Sequence, residues 1–84
     1  MVTRLEAFRR AKKWTQEQLA ERLGCQQPQV SRYCKAVSQP RPQIAARMSE
    51  LTQGVIHLGN YAEIVSEDQA TAMMAEIERA EASA

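Results

Sequence analysis

Residues 16–33 read QEQLAERLGCQQPQVSRY, and their spacing is that of a helix-turn-helix. Two short helices that cross steeply must touch close to their turn. Such a contact demands a small residue inside the first helix, and Ala20 supplies it. The turn demands a residue that tolerates positive φ, and Gly24 supplies that. The second helix must pack back through a branched apolar side chain. Val30 stands six positions after Gly24, with Leu19 and Leu23 completing the shared core. A plain helical hairpin requires no alanine, glycine and valine at these distances.

Working outward, Thr15 and Gln18 form a capping box that opens the first of these two helices. Gln27 and Pro28 fit the first turn of the second, which ends near Lys35 with Val30, Tyr33 and Cys34 on its buried side. Upstream, Thr3 and Glu6 make another capping pair. Leu5, Phe8 and Ala11 then give a helical stripe running to about Lys13, with Trp14 as a core anchor. Downstream, Ser38, Pro40 and Pro42 mark Ala36–Pro42 as a loop. A helix fits Pro42 to about Gln53, with Ile44, Ala45, Met48 and Leu51 inward and Gly54 as its stop. Val55, Ile56 and Leu58 are too few to assign; a short strand and a helix entry both fit. Asn60 and Glu63 suit a further helical turn, and Ser66 with Gln69 opens a helix from Glu67 to about Ala80. The expected fold class is all-α: a bundle of four to five short helices plus a C-terminal helix.

The segment TQEQLAERLGCQQPQVSRY resembles the DNA-binding domain of the lambda-repressor-like family, which includes phage Cro and the xenobiotic-response-element regulators. The ending MSELTQGVI, Met48 to Ile56, resembles the Cro-like branch that includes YdaS-type antitoxins. The resemblance covers about residues 3–58. It implies a compact helical bundle that binds duplex DNA, usually as a homodimer. Two positions depart from the family pattern. Gln26 stands where a Ser or Thr usually caps the recognition helix. Ala36 stands where a Gly usually follows that helix, so the loop leaving it is expected to take a different path.

In this architecture the recognition helix enters the major groove with its N-terminal residues leading. Gln27, Pro28, Gln29 and Arg32 are the base-contacting set. Gln27 offers a donor and an acceptor suited to adenine, and Arg32 two donors suited to guanine. Pro28 suits a thymine methyl, and Gln29 lies at the edge of the face. The resemblance implies that Gln16 contacts phosphate and braces Gln27. Ser31, Lys35 and Arg41 are further phosphate contacts. Arg9, Arg10, Lys12 and Lys13 either lie near the DNA backbone or are simply solvated.

The chain has 84 residues and a formal net charge of +1, which hides an asymmetry. Residues 1–47 hold ten bases and three acids, a balance of +7; residues 48–84 hold one base and seven acids, a balance of −6. The basic part suits nucleic acid, and the acidic part has another task. Two units are therefore expected: a helix-turn-helix domain over residues 1–58 and an acidic helical tail over 59–84. Met73, Met74 and Ile77 are the tail's candidate dimerisation residues. The tail has four readings: dimerisation, packing back on its own domain, binding a partner such as a cognate toxin or RNA polymerase, and competition with DNA.

No apolar run approaches the roughly 18 residues of a membrane span, and charged residues interrupt the N-terminus where a signal peptide would be apolar. Cys25, Cys34 and His57 have no zinc-ligand spacing, and the cysteines read as thiols in a reducing cytoplasm. With no nucleophile–base set, no catalytic carboxylate pair and no phosphate loop, neither enzyme activity nor a cofactor is expected. The expected partners are an operator DNA duplex, a second copy of the chain and, through the tail, a toxin or other protein.

Overall fold

The computed structural model describes residues 1–83. Its elements, in chain order, are β1 (Val2–Thr3), α1 (Arg4–Lys12), α2 (Gln16–Leu23), α3 (Gln27–Cys34), α4 (Pro42–Leu51), β2 (Ile64–Val65) and α5 (Glu67–Ser83). Among the described residues no helix is long and apolar enough to cross a membrane.

Side-chain caps set several helix starts. Thr15 accepts the Gln18 N–H at 3.1 Å, and the Gln18 side chain accepts the Thr15 N–H at 2.8 Å. Ser66 and Gln69 repeat that reciprocal pair at α5. At α1 only half of the expected box forms. Thr3 accepts the Glu6 N–H at 3.2 Å, while the Glu6 carboxylate turns away to Arg9 and Arg10. Two full positive charges draw it more strongly than one backbone N–H.

Helices α1 to α4 all end by one device. A residue just past each helix turns left-handed, and the N–H after it reaches back to the helix. The left-handed residues are Lys13, Gly24, Ala36 and Gln53. Only one of them is glycine. Ala36 itself takes φ +59°, so the loop leaving α3 makes the bend that a glycine would make there, and the different path expected from Ala36 does not occur at this residue. The stop of α4 lies at Gln53, with Gly54 following at φ +81°, one residue earlier than Gly54 alone implies.

One core runs through the molecule. Leu5, Ala7 and Phe8 of α1, Leu19, Ala20 and Leu23 of α2, Val30, Tyr33 and Cys34 of α3, and Met48 of α4 meet Ile56, Tyr61 and Val65. Met73, Met74 and Ile77 of α5 belong to the same cluster. Ala7 takes the buried place expected of Ala11, which is exposed. The Ile56 side chain is fully buried although its segment is neither strand nor helix. Thr52, itself buried, accepts the Ile56 N–H at 3.0 Å and so feeds this backbone into the core.

The expected helical turn at Asn60 is absent. Asn60 Oδ1 accepts the His57 N–H and its Nδ2 donates to the Val55 carbonyl, both at 2.9 Å, which builds successive turns. These turns lead into β2, which pairs antiparallel with β1, Val2 against Val65 and Thr3 against Ile64. Strands of two residues leave no periodicity to read. The boundary expected at residue 58 is crossed by this ladder and by the packing of α5 on α1.

Candidate nucleic-acid interface

The outer face of α3 is built by what its inner face buries. Val30, Tyr33 and Cys34 face the core, which leaves Gln27, Pro28, Arg32 and Lys35 exposed and Ser31 half-buried. Those five positions form one stripe at helical spacing. At the leading end, Gln27 Nε2 donates to Gln16 Oε1 at 3.1 Å across the two helices. This bond fixes the Gln27 side chain and leaves its Oε1 free. It also leaves the Gln16 amino group free to donate.

Gln29 is half-buried, and its Oε1 accepts the Gln26 N–H at 3.0 Å. Its oxygen therefore caps the start of α3, and only its amino group remains for an outside partner. Gln26 makes no side-chain cap bond of its own, consistent with the poor capping geometry of glutamine. Arg41 is exposed at the N-cap of α4.

The structure divides the basic residues in a way the sequence does not. Arg4 pairs with Glu63 at 3.0 Å and Lys12 with Glu81 at 3.2 Å. Arg9 and Arg10 both pair with Glu6, at 2.7 and 3.2 Å, and Arg9 Nη1 also donates to the Trp14 carbonyl. Lys13, Arg22, Arg32, Lys35, Arg41 and Arg47 make no ion pair among the described residues. The unpaired bases of the first half thus lie on α2, α3, α4 and their flanks, while α1 is largely neutralised by acids of its own chain. Arg22 is stacked on the Trp14 ring at 4.0 Å, and Trp14 meets Phe8 edge-on at 5.6 Å. Trp14 is half-buried, anchoring the α1–α2 turn.

The two cysteines are chemically quiet. Burial, aided by the nearby Glu6 charge, pushes the Cys34 thiol up to about 12, and burial raises Cys25 as well. Neither forms a thiolate readily at neutral pH. The hydrogen bond from Arg9, above all, holds the Glu6 carboxyl below its usual range against the opposing effect of burial.

Met73, Met74 and Ile77, expected as a dimerisation face, are core residues instead, at 2, 9 and 0% exposure. The reason is spacing: they lie on the side of α5 that packs against α1 and β2. Sequence reasoning also missed two residues that touch the far end of α3. Thr3 Oγ1 donates to the Cys34 carbonyl at 2.7 Å, and Tyr61 Oη donates to the Ser38 carbonyl at 3.0 Å. Thr3 is legible as a cap, but no local signal shows a contact across thirty-one residues.

A helix pair in this arrangement, with Gln27 braced by Gln16 and unpaired bases on the second helix, has the geometry of a helix-turn-helix. The sequence model of the lambda-repressor-like helix-turn-helix family matches residues 5–55, well over half of the chain, and the chain belongs to that family. Neither the curated proteins nor the solved structures hold a match to it. The protein is accordingly a DNA-binding helix-turn-helix regulator.

Proposed function

We propose that the chain is a dimeric repressor of Cro type that occupies an operator with α3 in the major groove. The observation that carries this reading is the exposed stripe of α3, where Gln27 is held by Gln16 beside the unpaired Arg32. Gln27 reads adenine through its free oxygen and remaining N–H. Arg32 reads guanine through two donors, and Pro28 meets a thymine methyl. Gln29 adds one donor at the edge of this set. Gln16, Ser31, Lys35 and Arg41 hold phosphates, which sets register and salt sensitivity and not sequence.

Size supports the dimer. The backbone frame spans 29 × 28 × 23 Å and carries a single reading helix, α3, whereas successive major grooves on one face of DNA lie roughly 34 Å apart. One chain therefore serves one half-site, and the operator is an approximate palindrome. The dimer forms through a surface other than the buried Met73, Met74 and Ile77. The setting is a reducing cytoplasm, where Cys25 and Cys34 remain thiols.

Selection of bound sequences from random duplexes, followed by salt titration of the winner, tests the reading. Sequence-selective binding that weakens steeply with salt is the expected result. Arg32→Ala is expected to cost about 1–3 kcal/mol on the selected site and to relax one operator position. Equal affinities of that variant and the wild type for selected and random duplexes would remove Arg32 from the readers.

A second reading, an antitoxin or other protein-interaction module on the same fold, draws support from the exposed apolar side chains of Val37, Leu58 and Ile64 and from the acids of α5. It gains the field if no duplex is retained at any salt concentration.

A further inference from the structure

We infer that Thr3 and Tyr61 are positioning residues that aim the last turn of α3, and with it Arg32 and Lys35, at the DNA. The inference rests on α3 being the DNA-reading helix. Cys34 is the final residue of α3, so its carbonyl has no partner within the helix. The Thr3 hydroxyl supplies one at 2.7 Å, in a contact where both residues are buried. The same hydroxyl oxygen accepts the Glu6 N–H at the start of α1. One atom thereby joins the positive end of one helix dipole to the negative end of another.

The second hold lies just past the helix. The Val37 N–H reaches back to the Arg32 carbonyl at 2.9 Å, and the Ala36 N–H to Tyr33 at 3.1 Å, so the bend after α3 is bonded to the reading residue itself. That bend requires Ala36 at φ +59°, a conformation that persists only when the surroundings enforce it. Tyr61, whose ring is in the core, donates to the Ser38 carbonyl and pins the loop on its far side.

These two holds form a single unit. Thr3 pairs with Ile64 in the ladder, the Arg4 N–H donates to Glu63 at 2.8 Å, and the Leu5 N–H donates to the Tyr61 carbonyl at 3.2 Å. The chain start and residues 60–65 thus act as one clamp on the exit of α3. Both side chains lie outside the family-matched residues 5–55. The leading end of α3 is braced by Gln16, and the trailing end by this clamp.

Thr3→Val keeps the shape but removes the donor to Cys34 together with the α1 cap, Thr3→Ser restores both, and Tyr61→Phe removes the second hold while leaving that cap intact. In the full chain, hydrogen exchange at the Lys35, Ala36 and Val37 amides is expected to quicken about tenfold in Thr3→Val and in Tyr61→Phe. The Leu19 and Gly24 amides, bonded within the α2 region, are expected to stay as they are. The affinity ratio between selected and random duplex is expected to fall about tenfold, with the random-duplex affinity unchanged and Thr3→Ser close to wild type. Unchanged exchange in folded variants, an unchanged ratio, or an equal loss on both duplexes would each overturn the aiming role while wild-type selectivity upholds the DNA reading. A wild-type chain that prefers no duplex would overturn the DNA reading, and the aiming role with it.

Discussion

At the scale of single residues, Ala36 and Glu6 show where this chain departs from easy choices. Ala36 holds φ +59° with a Cβ that the left-handed region penalises. Ala36→Gly is expected to stabilise the fold by about 1 kcal/mol, read as a shift of the urea midpoint without a change of slope. The absence of glycine is legible in the sequence. That the chain makes the bend regardless is not, because the force comes from the holds on either side. Glu6 is the acid on which Arg9 and Arg10 converge. Its carboxyl titrates below the ordinary 4.5 in the folded state. Its contribution to stability is thus complete above that value and is lost as pH falls through the lower folded value. Urea midpoints measured from neutrality down through pH 4.5 are expected to decline less steeply for Glu6→Gln than for the wild type. A parallel decline would place the acid sensitivity elsewhere.

At the scale of elements, the helices were written in local code and the connections were not. Caps at Thr15 and Ser66 give the starts of α2 and α5, and the apolar positions give α2 and α3 within a residue or so, while α5 runs on to Ser83, three residues past the expected Ala80. The segment after α4 has no such code. Its path is set by Thr52, whose hydroxyl lies 2.9 Å from the Met48 carbonyl and 3.0 Å from the Ile56 carbonyl while accepting the Ile56 N–H. Thr52→Val keeps the shape and strands that buried N–H. The expected cost is about 1–3 kcal/mol in chemical denaturation, against less than about 0.5 kcal/mol for an exposed control such as Gln53→Lys. A comparable loss in the control would show that Thr52 acts through the turn alone.

At the scale of the whole molecule, the acidic tail is part of the domain. Ile77 is fully buried in the cluster that also holds Phe8 and Leu5. Ile77→Ala is expected to destabilise the chain by about 2–5 kcal/mol in urea unfolding, with α1 and α5 lost in one transition. Separate transitions for the tail and the remainder would restore the division at residue 58. Charge follows the same architecture. The basic residues of α1 are answered by acids, two of them, Glu63 and Glu81, from the second half of the chain. Of the bases left unpaired, Arg32 and Lys35 lie on the exposed stripe of α3.

The sequence by itself determined the helix-turn-helix, its family and the outward stripe of α3. All three follow from interactions between residues a few positions apart: caps, a tolerant turn and helical periodicity. Only the tertiary structure decided which bases are free, where Met73, Met74 and Ile77 point, and what holds the exit of α3. Those depend on pairings between residues as distant as Thr3 and Cys34 or Lys12 and Glu81. Such pairings leave no periodic trace in the chain, because the partner's distance in space is unrelated to its distance in sequence. The ten bases of the first half are therefore divided by folding: four are tied to Glu6, Glu63 and Glu81, and six are left unpaired on α2, α3, α4 and their flanks.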